Sequence, residues 1–130
     1  MNAPRLPLPA LADAFRGVEA RYVVTPLDRD GRLADRSVLT LMGWSAGQTV
    51  ALVVEPGPIM IARDGPGVRI DRRGHLSLPV SVRRTCQITP GDRVLLVADQ
   101  RAGELLVIPS RAVTHMIEVY RHPPGLGARP

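Results

Sequence analysis

VRIDRRGHLSLPVSVRRTCQITPGDRVLLVADQRAGELLVIP, the stretch Val68–Pro109, decides how this chain folds. Two short apolar segments flank an Asp-x-x-Gly turn, a proline-led helix carrying Arg83-Arg84 follows, and a Pro-Gly-Asp turn leads into two strands. A weaker copy of the same order, LDRDGRLADRSVLTLMGWSAGQTVALVVEPGPIMI, precedes it at Leu27–Ile61. The recurring order of glycine turns and apolar positions predicts an internal repeat of one β-β-α-β-β unit.

A single unit of this size cannot bury its own apolar face, so two units must pair. The short linker between the repeats favours pairing within one chain, as an α+β, mainly β protein. A homodimer in which each repeat pairs with its own kind is the alternative. We expect four segments: an N-terminal arm and short helix at 1–21, a degenerate repeat at 22–64, an arginine-rich repeat with a closing helix at 65–121, and a flexible tail at 122–130. The short helix is expected at Ala10–Val18 and the closing helix at Arg111–Arg121, with Ser110 as its N-cap.

The charge of the chain lies mainly in the second repeat. All 17 basic residues are arginine, and the net charge is +5 with a pI of about 10.9. Residues 68–121 hold nine arginines against five acids, whereas residues 22–67 hold four arginines against five acids. Because the guanidinium group binds phosphate in a bidentate manner, this distribution favours a polyanionic partner such as double-stranded DNA.

The second repeat resembles the AbrB/MazE/SpoVT DNA-binding domain. The residues that carry the resemblance are Ile70-Asp71, Gly74, Leu76, Leu78-Pro79, Val82-Arg83-Arg84, Ile88, Pro90-Gly91-Asp92 and Val94. The first repeat resembles a degenerate member of the same family through Leu27-Asp28, Gly31-Arg32-Leu33, Gly43-Trp44 and Gly47.

This resemblance implies a swapped-hairpin barrel that acts as a DNA-binding transcriptional regulator. It also implies DNA contacts from the turn and the short helix of the second repeat, namely Arg69, Arg72, Arg73, His75, Arg83 and Arg84. The sequence departs from the family pattern at two positions. His75 replaces an arginine after the turn glycine, and Gln87 replaces the glycine that ends the short helix. Because left-handed backbone disfavours residues other than glycine, we expect this helix to end differently.

Two other functions are compatible with the sequence. One is an antitoxin-like protein that binds a small toxin and represses its own operon, and the other is a protein-interaction barrel that has lost DNA binding. In each case we expect a homo-oligomer in the cytoplasm, with no membrane span.

Catalysis is not predicted, because no nucleophile motif, carboxylate pair or phosphate-binding loop stands out. The histidines are scattered and the single cysteine has no metal-ligand spacing, so we expect neither a metal nor a cofactor. Cys86 and Trp44 are predicted core residues.

Overall fold

Strands rich in valine, leucine and isoleucine dominate the described part of the chain, residues 20–125 of a computed structural model. These side chains suit a pleated surface, and glycine or proline turns separate the strands. The predicted helix at 10–18 and the predicted tail beyond Gly125 lie outside the described residues. In chain order the elements are β1 (Ala20–Pro26), α1 (Ser37–Leu41), β2 (Thr49–Glu55), β3 (Ile59–Asp64), β4 (Val68–Arg69), α2 (Val80–Cys86), β5 (Arg93–Asp99), β6 (Glu104–Pro109) and α3 (Ser110–Arg121).

The six strands form one antiparallel sheet in the order β1-β5-β6-β3-β2-β4. Each repeat contributes one hairpin, β2-β3 from the first and β5-β6 from the second, and strands β3 and β6 join the hairpins at the centre. Strands β1 and β4 are the edges, so the sheet is not closed within residues 20–125. The predicted class, α+β and mainly β, is confirmed.

The first strand of each repeat pairs with the other repeat. Strand β1 lies along β5 over its whole length, and β4 lies along β2. The exchange continues beyond the strands in matching hydrogen bonds. The Leu27 N–H donates to the Asp92 carbonyl at 2.8 Å, and the Ile70 N–H donates to the Gln48 carbonyl at 2.8 Å. Because backbone donors and acceptors must be satisfied when buried, neither repeat is complete without the other.

The two repeats share one hydrophobic core on one face of the sheet. Leu33 follows the first Asp-x-x-Gly turn and is 1% exposed, and its counterpart Leu76 is 0% exposed. The predicted core residues Trp44 and Cys86 lie in the same cluster. Burial raises the pKa of the Cys86 thiol, which keeps this side chain in its neutral form.

The short helices end where glycine or a left-handed residue allows it. Before α1, the Asp35 carboxylate accepts the Val38 N–H at 3.1 Å, and Gly43 follows the helix with φ of 76°. After α2, Gln87 adopts φ of 54° and ψ of 46°. The expectation that this helix ends differently was therefore wrong. The side-chain oxygen of Gln87 accepts a hydrogen bond from Arg111, which helps to hold the residue in place.

Helix α3 begins one residue earlier than predicted. Ser110 is its first residue, so the prediction that Ser110 acts as the N-cap was wrong. Pro109 takes the cap position with φ of −60°, while it is still paired with Val94 in the sheet. The chain therefore passes from strand to helix without a separate capping residue. None of the helices within residues 20–125 is long and apolar enough to span a membrane.

The exchanged strand β4 depends on a close backbone approach at Gly67. A Cβ atom at Gly67 would overlap the Val50 carbonyl oxygen and lie 3.1 Å from the Ala51 Cα atom. We predict that Gly67→Ala lowers the free energy of unfolding by about 1–3 kcal/mol, because the backbone of β2 must shift. Urea denaturation monitored by circular dichroism measures this change.

Gly65→Ala is the matched control. Gly65 has nearly the same φ, 154° against 158°, but its Cβ atom would meet only the Ala51 Cβ atom at 3.6 Å. Both variants carry the same backbone strain, so the difference between them isolates the clash with β2. Equal stability of the two variants would contradict the close pairing of β4 with β2.

Candidate nucleic-acid interface

The two Asp-x-x-Gly turns lie side by side. Arg32 and Ser77 are cross-strand partners, and the Leu33 N–H donates to the Leu76 carbonyl at 2.9 Å. The Leu78 N–H donates to the Gly31 carbonyl at 2.8 Å. Residues that are far apart in the chain therefore share one short antiparallel ladder, and one turn from each repeat belongs to the same surface.

An aspartate shapes each turn. In the second repeat, the Asp71 carboxylate accepts the backbone N–H groups of Arg73 and His75, each at 2.9 Å. In the first repeat, the Asp28 carboxylate accepts the corresponding groups of Asp30 and Arg32, also at 2.9 Å. The hydrogen bond from the His75 backbone is the largest influence that lowers the pKa of Asp71, and the one from the Arg32 backbone does the same for the pKa of Asp28.

Several arginines of this surface are exposed and lack a partner among residues 20–125. The side chains of Arg29, Arg72, Arg73 and Arg84 make no hydrogen bond or ion pair with any residue in the described range 20–125. Their guanidinium groups are therefore available to a phosphate or a base edge. Arg72, Arg73 and Arg84 are predicted DNA contacts, whereas Arg29 is not among the predicted contacts. The alignment of Asp28-Arg29 with Asp71-Arg72 is the sequence signal that could have identified Arg29 as a residue of this surface.

Arg83 contacts the other repeat. Its Nε atom donates to the Leu78 carbonyl at 2.9 Å. Its guanidinium carbon lies 2.9 Å from the position that a Cβ atom at Gly31 would occupy. Arg36 makes a comparable contact in the other direction, where its guanidinium donates to the Arg73 carbonyl at 2.8 Å. Each repeat therefore holds the turn of the other with one arginine.

The two other predicted contacts are only partly available. One guanidinium nitrogen of Arg69 donates to the Gly47 carbonyl at 2.9 Å, although the residue is exposed. The His75 side chain is only 19% exposed, and its Nδ1 atom lies 3.8 Å from the Asp71 carboxylate without a hydrogen bond. In the first repeat the corresponding residue is Arg32, which forms an ion pair with Asp28 at 2.8 Å.

The surface is basic on one side and nearly neutral on the other. Around the first turn, the arginines are accompanied by three carboxylates, and the ion pair with Asp28 raises the pKa of Arg32. Around the second turn and α2, five arginines face Asp71 as the only acid of residues 68–84. The structure thus brings arginines of the first repeat to the predicted site. The half of the surface that the first repeat forms nevertheless has little net charge.

An open groove of about 730 Å³ lies beside the second turn, and its lining includes Asp35, Arg36, Trp44, Ser45 and Arg73. It connects the basic half of the surface to the first repeat. Within residues 20–125, no three histidine, cysteine or acidic side chains come together in a way that could hold a metal ion.

Comparison of the chain with family models, with curated proteins and with solved structures finds no significant match.

The turn aspartates predict how stability depends on pH. Folding lowers the pKa of Asp28 and Asp71 below the unfolded value of 3.8, so their contribution is present above that value. It is lost as the pH falls through the lower folded pKa values. We predict that Asp71→Asn flattens the fall of the urea midpoint below about pH 4, since a neutral side chain cannot titrate.

Asp30→Asn is the control for this experiment. The Asp30 carboxylate makes only a long, exposed contact with Arg32 at 3.4 Å. Its variant should therefore keep the acid dependence of the unmodified chain. A midpoint that falls equally steeply in the Asp71 variant would show that the turn does not carry this dependence.

Proposed function

We propose that the chain is a DNA-binding transcriptional regulator of the AbrB/SpoVT type, in which the two repeats form a swapped-hairpin barrel. The observation that carries the proposal is the pair of adjacent turns on one surface, with exposed arginines that have no partner in the described part of the chain. Such turns are rigid, because their aspartates bind the backbone, and rigid positioning lowers the entropic cost of binding.

The reciprocal strand pairing supports the barrel. The first strand of each repeat adds to the hairpin of the other, β1 to β5 and β4 to β2. Matching hydrogen bonds from Leu27 and Ile70 continue the exchange toward the turns. An exchange of this kind is what a swapped-hairpin arrangement requires, and it places both turns at the same end of the molecule.

The arginines divide into two roles in this proposal. Arg72 and Arg73 occupy the two central positions of the second turn, where they can enter a groove and contact base edges. Arg84 on α2 and Arg29 on the first turn flank them and can contact phosphates, which sets the orientation on the duplex. Arg83 acts indirectly, because it fixes the first turn through Gly31.

Salt dependence tests the proposal. Each phosphate that an arginine neutralises adds about 0.9 to the slope of log affinity against log salt. We predict that Arg84→Ala weakens binding to DNA and reduces this slope by about 0.9. Fluorescence anisotropy should be measured with a duplex from the region upstream of the gene, and with a duplex of mixed sequence.

Arg63→Ala is the matched control, because it removes the same charge elsewhere. Arg63 lies near the end of β3, outside the two turns, and pairs with Glu104 of β6. The control should keep the slope of the unmodified chain. No salt dependence, or an equal loss for both variants, would contradict a DNA surface at the turns.

A second variant separates base contacts from phosphate contacts. We predict that Arg72→Ala narrows the difference in affinity between the upstream and mixed duplexes, because a bidentate base contact discriminates by about 1–3 kcal/mol. The affinity for the mixed duplex should change less. An unchanged preference in this variant would assign Arg72 to the phosphates or remove it from the interface.

A further inference from the structure

The middle of the sheet face opposite the core is also apolar. Side chains alternate between the two faces of a strand, so the core residues of each strand leave their neighbours on this second face. Cross-strand register aligns one residue from each of five strands in a single row across it. The row consists of Tyr22, Val97, Leu106, Ile61 and Val53, so every side chain in it is aliphatic or aromatic. Strands that are apolar on both faces are typical of sheets that are covered on both sides.

The first turn of helix α3 packs against two strands of the sheet, and the rest of the helix is exposed. The helix contacts β5 and β6, and Ala112 in its first turn is 3% exposed. Ala112, Ile108 and Ile61 are buried but lie outside the core cluster, so they belong to the second face. The ends of the row are open, since Tyr22 is 65% exposed and Val53 is 51% exposed.

Most of α3 has no partner within residues 20–125. Its apolar side includes Met116, Ile117 and Tyr120, and these side chains are 42%, 51% and 85% exposed. Isolated helices of about 12 residues are marginal in water, and packing of the apolar side normally stabilises them. The second half of α3 therefore has the composition of a helix that packs against another surface.

We propose that a second copy of this chain docks on the second face, with α3 of each copy against the open end of the partner's sheet beside β1. The same chain carries both complementary parts, an exposed apolar helix side and, beside β1, exposed apolar side chains of the sheet. In this arrangement the helix of each copy packs on the sheet of the other copy. A two-fold axis relates the two contacts, so the assembly is a closed dimer.

The exposed apolar area is compatible with a second copy of the chain as the docking partner. Tyr22 and Tyr120, at 65% and 85% exposure, together expose roughly 300 Å² if a full tyrosine offers about 200 Å². The exposed parts of Val24, Met116 and Ile117 add a further apolar area near the same end of the sheet and along α3. The sum is more than half of the roughly 800 Å² that each partner contributes to a standard interface.

Charge and strand edges agree with the same arrangement. At one end of the second face, Asp99 and Glu104 are cross-strand partners, and Arg63 neutralises only Glu104. The last turn of α3 carries the exposed Arg121, which can meet Asp99 of a second copy. Within residues 20–125, the seven-residue strand β1, which contains Tyr22, is also a free edge of the sheet. Sheets of two molecules can associate at an edge of this kind.

The test is the mass of the full chain in solution. Light scattering after size exclusion should give twice the chain mass of 14.1 kDa at micromolar concentration. Ile117→Glu combined with Tyr120→Glu should give a monomer with an unchanged circular dichroism spectrum. Both positions are exposed in the single chain, so the substitutions should leave its fold intact.

Val80→Glu is the matched control. Val80 is 50% exposed on α2, which packs against the core rather than against the second face. This variant should remain a dimer. A dimer that survives the double substitution on α3 would overturn the proposal.

A monomeric unmodified chain would overturn the proposal as well. If that monomer becomes a dimer when residues 1–19 are removed, the N-terminal segment of the same chain covers the second face instead. If it remains a monomer without them, the face serves another protein. Neither result depends on DNA, so the docking proposal can fail while the proposed function stands, and the reverse also holds.

Discussion

The hydrogen bonds that Leu27 and Ile70 make to the opposite repeat are the constraint on which the structure depends. Leu27 bonds through its N–H and carbonyl groups to Asp92 and Gly91, at 2.8 and 2.7 Å. Ile70 makes the equivalent pair of bonds to Gln48 and Gly47, both at 2.8 Å. Both side chains are 1% exposed. If one repeat unfolded alone, buried backbone groups and apolar side chains of the other repeat would lose their partners. The repeats therefore fold together.

This exchange also determines where the charge lies. Because the first segments cross, the turn of each repeat comes to lie beside the turn of the other and within reach of the other's arginines. Arg83 and Arg36 each contact the opposite turn. An arginine-rich repeat and a nearly neutral one thus contribute to a single surface, in which the neutral repeat supplies shape and the basic repeat supplies charge. The two sides of this surface therefore differ in charge, although the backbone is nearly symmetric.

The sequence allowed the strands, the turns and the shared core to be predicted, because these follow from local patterns. The Pro-Gly-Asp turn indicated the strand pair β5 and β6, the glycines marked the turns, and Leu33 and Leu76 stood at matching positions of the family pattern in the two repeats. The role of Arg83 could not be predicted, because its contact with Gly31 depends on a crossing that no local pattern records. The half-buried ring of His75 and the left-handed Gln87 are also tertiary outcomes, since both depend on neighbouring elements. The sequence alone favoured pairing within the chain only through the length of a linker.

A disulfide across the two crossing segments tests this account most directly. Arg32 and Ser77 form a pair flanked by hydrogen bonds on both sides, the type in which Cα atoms approach to about 4.5 Å and a disulfide fits. Arg32→Cys and Ser77→Cys should be combined with Cys86→Ala, and the oxidised protein examined by denaturing, non-reducing electrophoresis and mass spectrometry. Pairing of the two repeats within one chain predicts an internal disulfide at the mass of one chain. Covalent dimers in place of it, or free thiols after oxidation, would contradict the pairing of the two repeats within one molecule.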